Sequence, residues 1–277
     1  MRTALAVLVA LALPSPARAD TRADVTAAFT AFVNAYAAPK PDLGTIELLM
    51  EPQSFEEEDL PVPAKLTQGL QQPKLAKLVR LVVSPGGTSA WVAAEISARV
   101  RGDKWKPETV RASAVLVLDG KAWRVTAAHF SVAMPEQPAP PGCGNASNQW
   151  EAPQKTPKAL EPLVRQTMNA IGDAKQFAAA MSDSKDALLY GTSPGETFSG
   201  GAAIKKIFRK WHVSAWTAED QPPHAVAGAS PDGALVWLAV PIMAPTQMCS
   251  MYRGFFVLAK EPGGWKIVHQ HYSLPYF

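Results

Sequence analysis

Residues 111–132 read RASAVLVLDGKAWRVTAAHFSV, and residues 253–274 read RGFFVLAKEPGGWKIVHQHYSL. Superposed without a gap, they pair Arg111 with Arg253, Val115-Leu116 with Val257-Leu258, Trp123 with Trp265, His129 with His271 and Ser131 with Ser273 at a constant offset of 142. Upstream, Ser84-Pro85-Gly86-Gly87 ahead of Trp91-Val92-Ala93 matches Ser230-Pro231-Asp232-Gly233 ahead of Trp237-Leu238-Ala239 at an offset of 146. The change of offset corresponds to a longer hairpin loop in the first copy. Self-similarity at a fixed period marks a repeated structural unit, so the chain reads as a tandem duplication.

Between the copies, Pro135 to Pro157 holds six prolines together with Gly142, Gly144, Asn145 and Ser147. Such a segment is stiff and extended and too poor in apolar side chains to pack by itself. We take it as a linker (135–157) between a first domain (20–134) and a second (158–277). Each copy opens with helical periodicity: Val25, Phe29, Phe32, Val33 and Tyr36 in the first, and less regularly Leu163, Val164, Met168, Ile171, Phe177 and Met181 in the second. Each then turns to strands. The runs Ala90 to Ile96, Arg111 to Leu118 and Trp123 to Val132 are separated by turn sequences, including Asp119-Gly120, and copy two repeats them with Gly263-Gly264. Helices followed by an antiparallel meander give an α+β fold: two tandem cone-shaped domains, each with N-terminal helices on a strongly curved antiparallel sheet.

At 277 residues, 47% hydrophobic and 18% charged, the chain is globular and long enough for two cores. Met1-Arg2, the apolar run Thr3 to Leu13 and Ala17-Arg18-Ala19 predict a signal peptide over residues 1–19, and so an exported protein, periplasmic or secreted. The eleven-residue run spans about 17 Å as a helix, short of the roughly 30 Å hydrocarbon layer. No membrane span is expected. Cleavage would remove Arg2 and Arg18, leaving 25 basic against 24 acidic residues. That near-neutral balance argues against nucleic acid as a partner. The basic cluster Lys205, Lys206, Arg209 and Lys210 has the spacing of a solvated helix face.

The opening segment of copy two, Gly191-Thr192-Ser193-Pro194-Gly195-Glu196-Thr197-Phe198-Ser199-Gly200-Gly201-Ala202-Ala203-Ile204, and its close, Trp265 to Ser273, resemble the SnoaL-like branch of the nuclear transport factor 2-like superfamily, which includes ketosteroid isomerase. Copy one resembles it chiefly through Trp123 to Val132. The resemblance implies a bent sheet wrapped on helices, with a pocket at the open end of the cone. It does not carry over a catalytic base. In the isomerases the base stands about eight residues before the Ser-Gly that opens the third helix, and here that position is Gly191.

Strand alternation places Trp265, Ile267, His269, His271 and Ser273 on one face, expected to line the second cone. We weigh three chemistries there. Glu196 with His271 could act as an acid/base pair, Tyr190 donating a hydrogen bond, in an isomerase, dehydratase or cyclase. The alternative is that Glu196 caps a turn and His271 bridges strands. His269 and His271 could bind zinc only with a third donor from Glu196, His212 or His224, and local hydrogen bonding is the commoner role of such histidines. Third, a binding pocket would use Trp237, His269, His271, Ser273 and Arg253. Ser131 and Ser273 follow His on a strand, where the two side chains run parallel instead of meeting as nucleophile and base. Cys143 and Cys249 are expected to form a disulfide if the chain is exported. The leading expectation is non-catalytic binding of a small apolar molecule or a protein partner, with no cofactor and with the domains packed as an intrachain pseudo-dimer. A structural association module, with filled cones, is the further alternative.

Overall fold

In the computed structural model the described residues are 21–36, 38, 43, 46–50, 70–100, 106–133, 156–210, 225–244 and 250–273. The signal segment, most of the linker, Cys143, Cys249, His212 and His224 lie outside them. The first domain contributes α1 (Thr21–Tyr36) and strands β1 (Leu48–Met50), β2 (Leu70–Val83), β3 (Ser89–Val100), β4 (Lys106–Asp119) and β5 (Ala122–Val132). The second contributes α2 (Glu161–Ile171), α3 (Ala174–Ala180), β6 (Leu188–Tyr190), β7 (Thr197–Ser199), α4 (Gly201–Lys210), β8 (Val226–Ala229), β9 (Leu235–Ala244), β10 (Ser250–Glu261) and β11 (Gly264–Ser273).

The sheets run β1-β5-β4-β3-β2 and β7-β6-β11-β10-β9-β8. Apart from β7, the two orders correspond position for position, down to the parallel pairings of β1 with β5 and β6 with β11. The duplication read from sequence is therefore a duplication of topology. The weak periodicity at the start of copy two is resolved as two helices. Asp173 ends one and starts the next, its carboxylate accepting from the Lys175 and Gln176 amides, as an N-cap residue does. The long strand β2 was not anticipated. It carries Pro73, and its pairing with β3 shifts register three times, which erases the period-2 pattern.

The central strands of each sheet are buried on both faces. In β4, Ala112, Ala114 and Leu116 join the core under α1, with Phe29, Phe32 and Phe130. In β10, Phe256 and Leu258 join the core under α2, α3 and α4, with Phe177, Phe208 and Tyr272. The intervening positions of both sheets merge into a third core: Leu48, Met50, Trp91, Ala93 and Val115 from domain one against Leu188, Tyr190, Trp237, Phe255 and Val257 from domain two. The layers are thus helix, sheet, sheet, helix. Near-continuous apolar runs are what strands covered on both sides require, and burying this middle layer contributes on the order of 25 cal/mol per Å² of apolar surface removed from water.

A matching bulge in each half decides which side chains enter the middle layer. Ala127 pairs with Val115 and Val125 with Leu116, leaving Thr126 as an extra residue. His269 pairs with Val257 and Ile267 with Leu258, leaving Val268 as the extra one. An extra residue reverses the face of everything beyond it. This corrects the single-face reading of β11: Ile267 and Trp265 belong to the helix-side core, while Val268 lies in the middle layer. His269, His271 and Ser273 follow Val268 into that layer. Trp123 and Trp265 keep equivalent surroundings, each half-buried against its own helix-side core.

Because each sheet covers the other, the chain is predicted to be a monomer. Size-exclusion chromatography with light scattering should return the mass of one chain, and a stable homodimer would contradict the packing.

Candidate functional site

The two histidines that the repeat places in register meet at the middle of the structure. Their rings stack at 4.0 Å between centroids with an interplanar angle of 22°, and both are fully buried. Their serine partners cross over. Ser131 Oγ lies 2.6 Å from His271 Nε2, and Ser273 Oγ lies 2.8 Å from His129 Nε2. The serine and histidine that run parallel on one strand do not meet, but each meets its counterpart from the other domain. Sequence reasoning considered only pairs on the same strand.

Two positions break the symmetry. Ser113 corresponds to Phe255 in the repeat, and its hydroxyl lies 2.8 Å from His271 Nδ1 and 2.6 Å from His269 Nε2. On the other side, Phe255 packs edge-on against His129 at 6.1 Å. His269, which corresponds to Ala127, is held by the Leu188 carbonyl at 3.0 Å from Nδ1 and stacks on Trp91 at 5.0 Å and 11°. Burial keeps all three imidazoles neutral. It lowers the pKa of His269 to about 3 and those of His129 and His271 well below the ordinary value, with Arg253 adding to the effect at His129 and His129 itself adding to it at His271.

Around this centre run polar clasps between the domains. Arg111, 6% exposed, donates to the carbonyls of Gly191 (2.6 Å), Ser193 (3.0 Å) and Pro194 (2.9 Å). Its guanidinium also lies 5.2 Å from the Tyr190 ring centroid. Arg253, its repeat partner, donates from Nε to Ser273 Oγ at 3.1 Å. At one end, the two Ser-Pro turns meet. Asp232 accepts from Ser84 (2.9 Å), Thr88 (2.8 Å) and Ser89 (2.8 Å). Burial pushes its pKa up, but hydrogen bonds from Ser230, the Ala234 amide, Ser89 and Thr88 prevail and hold it down at about 2. Arg80 pairs with Asp186 at 3.0 Å on the more exposed rim. Neither the clasp at Asp232 nor the grip of Arg111 was anticipated, although the recurrence of Arg and of Ser-Pro turns at equivalent places was the available signal.

The proposed catalytic trio is not assembled into one hydrogen-bonded unit. His271 bonds to Ser113 and Ser131. Glu196 Oε2 accepts from the Ser193 amide at 2.9 Å, closing its own turn. Tyr190 lies fully buried, edge-on to His271 at 5.3 Å, with no hydrogen-bond partner for its hydroxyl among the described residues. Its pKa is raised by burial first and then by Glu95. Ser131 and His271 have the spacing of a nucleophile and base, yet they are 2% and 0% exposed, closed off between the two sheets. Trp237, His269, Ser273 and Arg253, proposed as pocket lining, are likewise buried between the sheets instead of lining a cone. His269 and His271 both aim at Ser113, and among the described residues no group of three His, Cys, Asp or Glu side chains is placed to hold a metal.

Among the described residues, aromatic side chains pack together on the helix side of the second sheet. Phe177 and Phe208 stack at 3.6 Å, and Phe256 meets Tyr272 edge-on at 5.6 Å. Its buried polar groups satisfy one another: Tyr272 donates to Gln270 (2.8 Å), and Gln270 reaches the Met181 sulfur (3.1 Å). A cleft of about 450 Å³ lies on the outside of α2 and α3, lined by Glu161, Arg165, Gln166, Asn169 and Gln176, apart from every candidate above. Gly191 has a structural reason to be glycine, since a Cβ there would collide with the Glu196 side chain. In the alternation of β6, Leu189 faces the helix-side core while Leu188 and Tyr190 face the middle layer. A side chain at 191 would therefore point toward the cone, in the space Glu196 takes.

Ser113→Ala leaves two buried imidazole nitrogens unpartnered and is expected to lower stability by roughly 3 kcal/mol. Ser131→Ala, which orphans one, should cost about half of that, and urea unfolding gives the order. Equal or negligible losses would contradict the network. Gly191→Ala should destabilise alone but much less in a Glu196→Gly background, which removes the Cβ that a side chain at 191 would meet at 2.6 Å, as a double-mutant cycle would read.

Comparison with known proteins places these features in a family. Solved structures similar to part of the chain include an NTF2-like protein of unknown function from Pseudomonas putida KT2440 (18% identity, 44% of this chain and 91% of that one, TM-score 0.36). Others are cystatin-like fold proteins from Burkholderia xenovorans LB400 (18%, 43% and 95%, TM-score 0.31) and Caulobacter vibrioides (13%, 42% and 87%, TM-score 0.34). No curated protein matches the chain. The SnoaL-like domain matches it twice, over residues 67–135 and 165–277, and the protein belongs to the SnoaL-like domain family as a tandem pair.

Proposed function

We propose that this is an exported, non-catalytic binding protein whose two SnoaL-like domains act as one rigid body toward a protein partner. The observation that carries this reading is the use of the chain's buried imidazoles and serine hydroxyls as cross-domain hydrogen bonds. Groups held in that way are committed to the contact between the domains and have almost no exposed surface to offer a substrate. The aromatic packing of the second cone favours a protein partner over a small apolar ligand. No helix among the described residues is long and apolar enough to cross a membrane.

An isomerase, dehydratase or cyclase has one observation in its favour. The Glu196 carboxylate occupies the cone-side space of residue 191, where the resemblance puts the base of the isomerases. Glu196 would then supply from a neighbouring position what Gly191 lacks.

Native mass spectrometry of the protein purified from its host distinguishes these readings. The binding-protein reading predicts a bare chain mass after the signal is removed, and cross-links to another protein from the same compartment. A stoichiometric small molecule that leaves on denaturation would overturn it. Substrate turnover abolished by Glu196→Gln would establish the enzyme instead.

A further inference from the structure

We propose that the layer between the two sheets is an acid-sensitive latch, which holds the domains together while His129, His269 and His271 are neutral and releases them when these imidazoles take up protons. The geometry fixes the direction of the hydrogen bonds. The Leu188 carbonyl can only accept, so the proton of neutral His269 sits on Nδ1 and its Nε2 is an acceptor. Ser113 must then donate to His269 Nε2 and accept from His271 Nδ1. That leaves His271 Nε2 as an acceptor, which Ser131 fills by donating. The chain runs Ser131 to His271 to Ser113 to His269 to the Leu188 carbonyl, passing between the domains at each of its first three links.

A proton added to His271 Nε2 or His269 Nε2 opposes the hydroxyl hydrogen that already points there. Ser131 or Ser113 must then turn that hydrogen into a layer made mostly of apolar side chains. The new charge also meets more of its own sign. After burial itself, His129 and His269 act on His271, followed by Arg111 of β4 and Arg253 of β10, and Arg253 and His269 act on His129. The other ionisable groups around this layer include Tyr190 of β6, Glu95 of β3, Arg80 of β2 with its partner Asp186, Glu196, Glu47 beside Gly228 of β8, and Asp232 of the turn clasp, which is held down at about 2 and keeps its charge throughout. Glu95 and Glu196 act on Arg111, and Glu95 also on Tyr190, so neither carboxylate compensates an imidazolium. The face of Trp91 on His269 offers a partial cation–π contact only to that ring.

Opening the layer returns each imidazole to water and to a pKa near 6.5. Above that pH both states are neutral and the latch holds fully. Below it the open state binds protons that the closed state refuses, so closure weakens as pH falls, for His269 until about pH 3. The closed-to-open ratio should fall by up to about tenfold per pH unit per histidine, and up to about a thousandfold for three.

The test is small-angle scattering and far-ultraviolet circular dichroism of the full mature chain from pH 7.5 to 5.0. The expected result is a rise in radius of gyration below pH 6.5 with the circular dichroism of both domains retained. His271→Gln, which keeps one acceptor and one donor but does not titrate, should reduce the limiting slope from three protons to two. A compact chain down to pH 5.0, a slope unaltered by His271→Gln, or domains that unfold together with the opening would each overturn the proposal. Should His271→Gln fail to fold, imidazole nitrogen NMR of the unaltered chain at pH 7.5 decides. Nδ1–H on both His269 and His271 supports the latch, and Nε2–H on either overturns it.

Discussion

An imidazole stacked 4.0 Å from a second imidazole, with no exposed surface on either ring, has to stay uncharged, and His129 and His271 meet in that way where the sheets cross. Burying such groups is costly unless each nitrogen is paired. Three of the four nitrogens are paired across the domain boundary: Ser131 and Ser113 serve His271, and Ser273 serves His129 Nε2, while His129 Nδ1 has no partner among the described residues. The polar centre therefore selects a single relative placement of the domains, while the surrounding Trp, Phe, Leu and Val side chains contribute most of the attraction. Shape and apolar content alone would tolerate sliding. A directional hydrogen-bond chain does not.

Duplication followed by divergence accounts for the asymmetry of this centre. The stacked histidines, the crossed serines and the arginines recur in both halves, as a near-twofold arrangement requires. Ser113 against Phe255, and His269 against Ala127, are the departures. Together they create the hydrogen-bond chain on one side and leave an aromatic contact on the other. Two copies on separate chains could not hold different residues at these two positions, whereas two copies on one chain can.

The duplication, the strand-rich meander and the equivalence of Trp123 with Trp265 were legible in the sequence because they rest on spacing. The destination of His269, His271 and Ser273 was not. It depends on one extra residue, Thr126 or Val268, inside a run where residues on both sides are apolar enough for either face. Strands covered on both sides give no alternation against which a slip would show. The same runs did carry a usable hint: a sheet apolar on both faces needs a second cover, and a duplicated chain has one available. Glu196, a catalytic candidate in the sequence with turn capping as the alternative, closes its own turn, and its place beside Gly191 could not be located without the backbone.

Hydrogen–deuterium exchange at the imidazole C2 position measures the burial of these rings directly. At pH 7.5 the account predicts that His129, His269 and His271 exchange far more slowly in the native chain than in the urea-unfolded chain. Exchange of His129 and His271 at the unfolded rate would mean that water reaches the space between the sheets, and the two domains would not be joined as described.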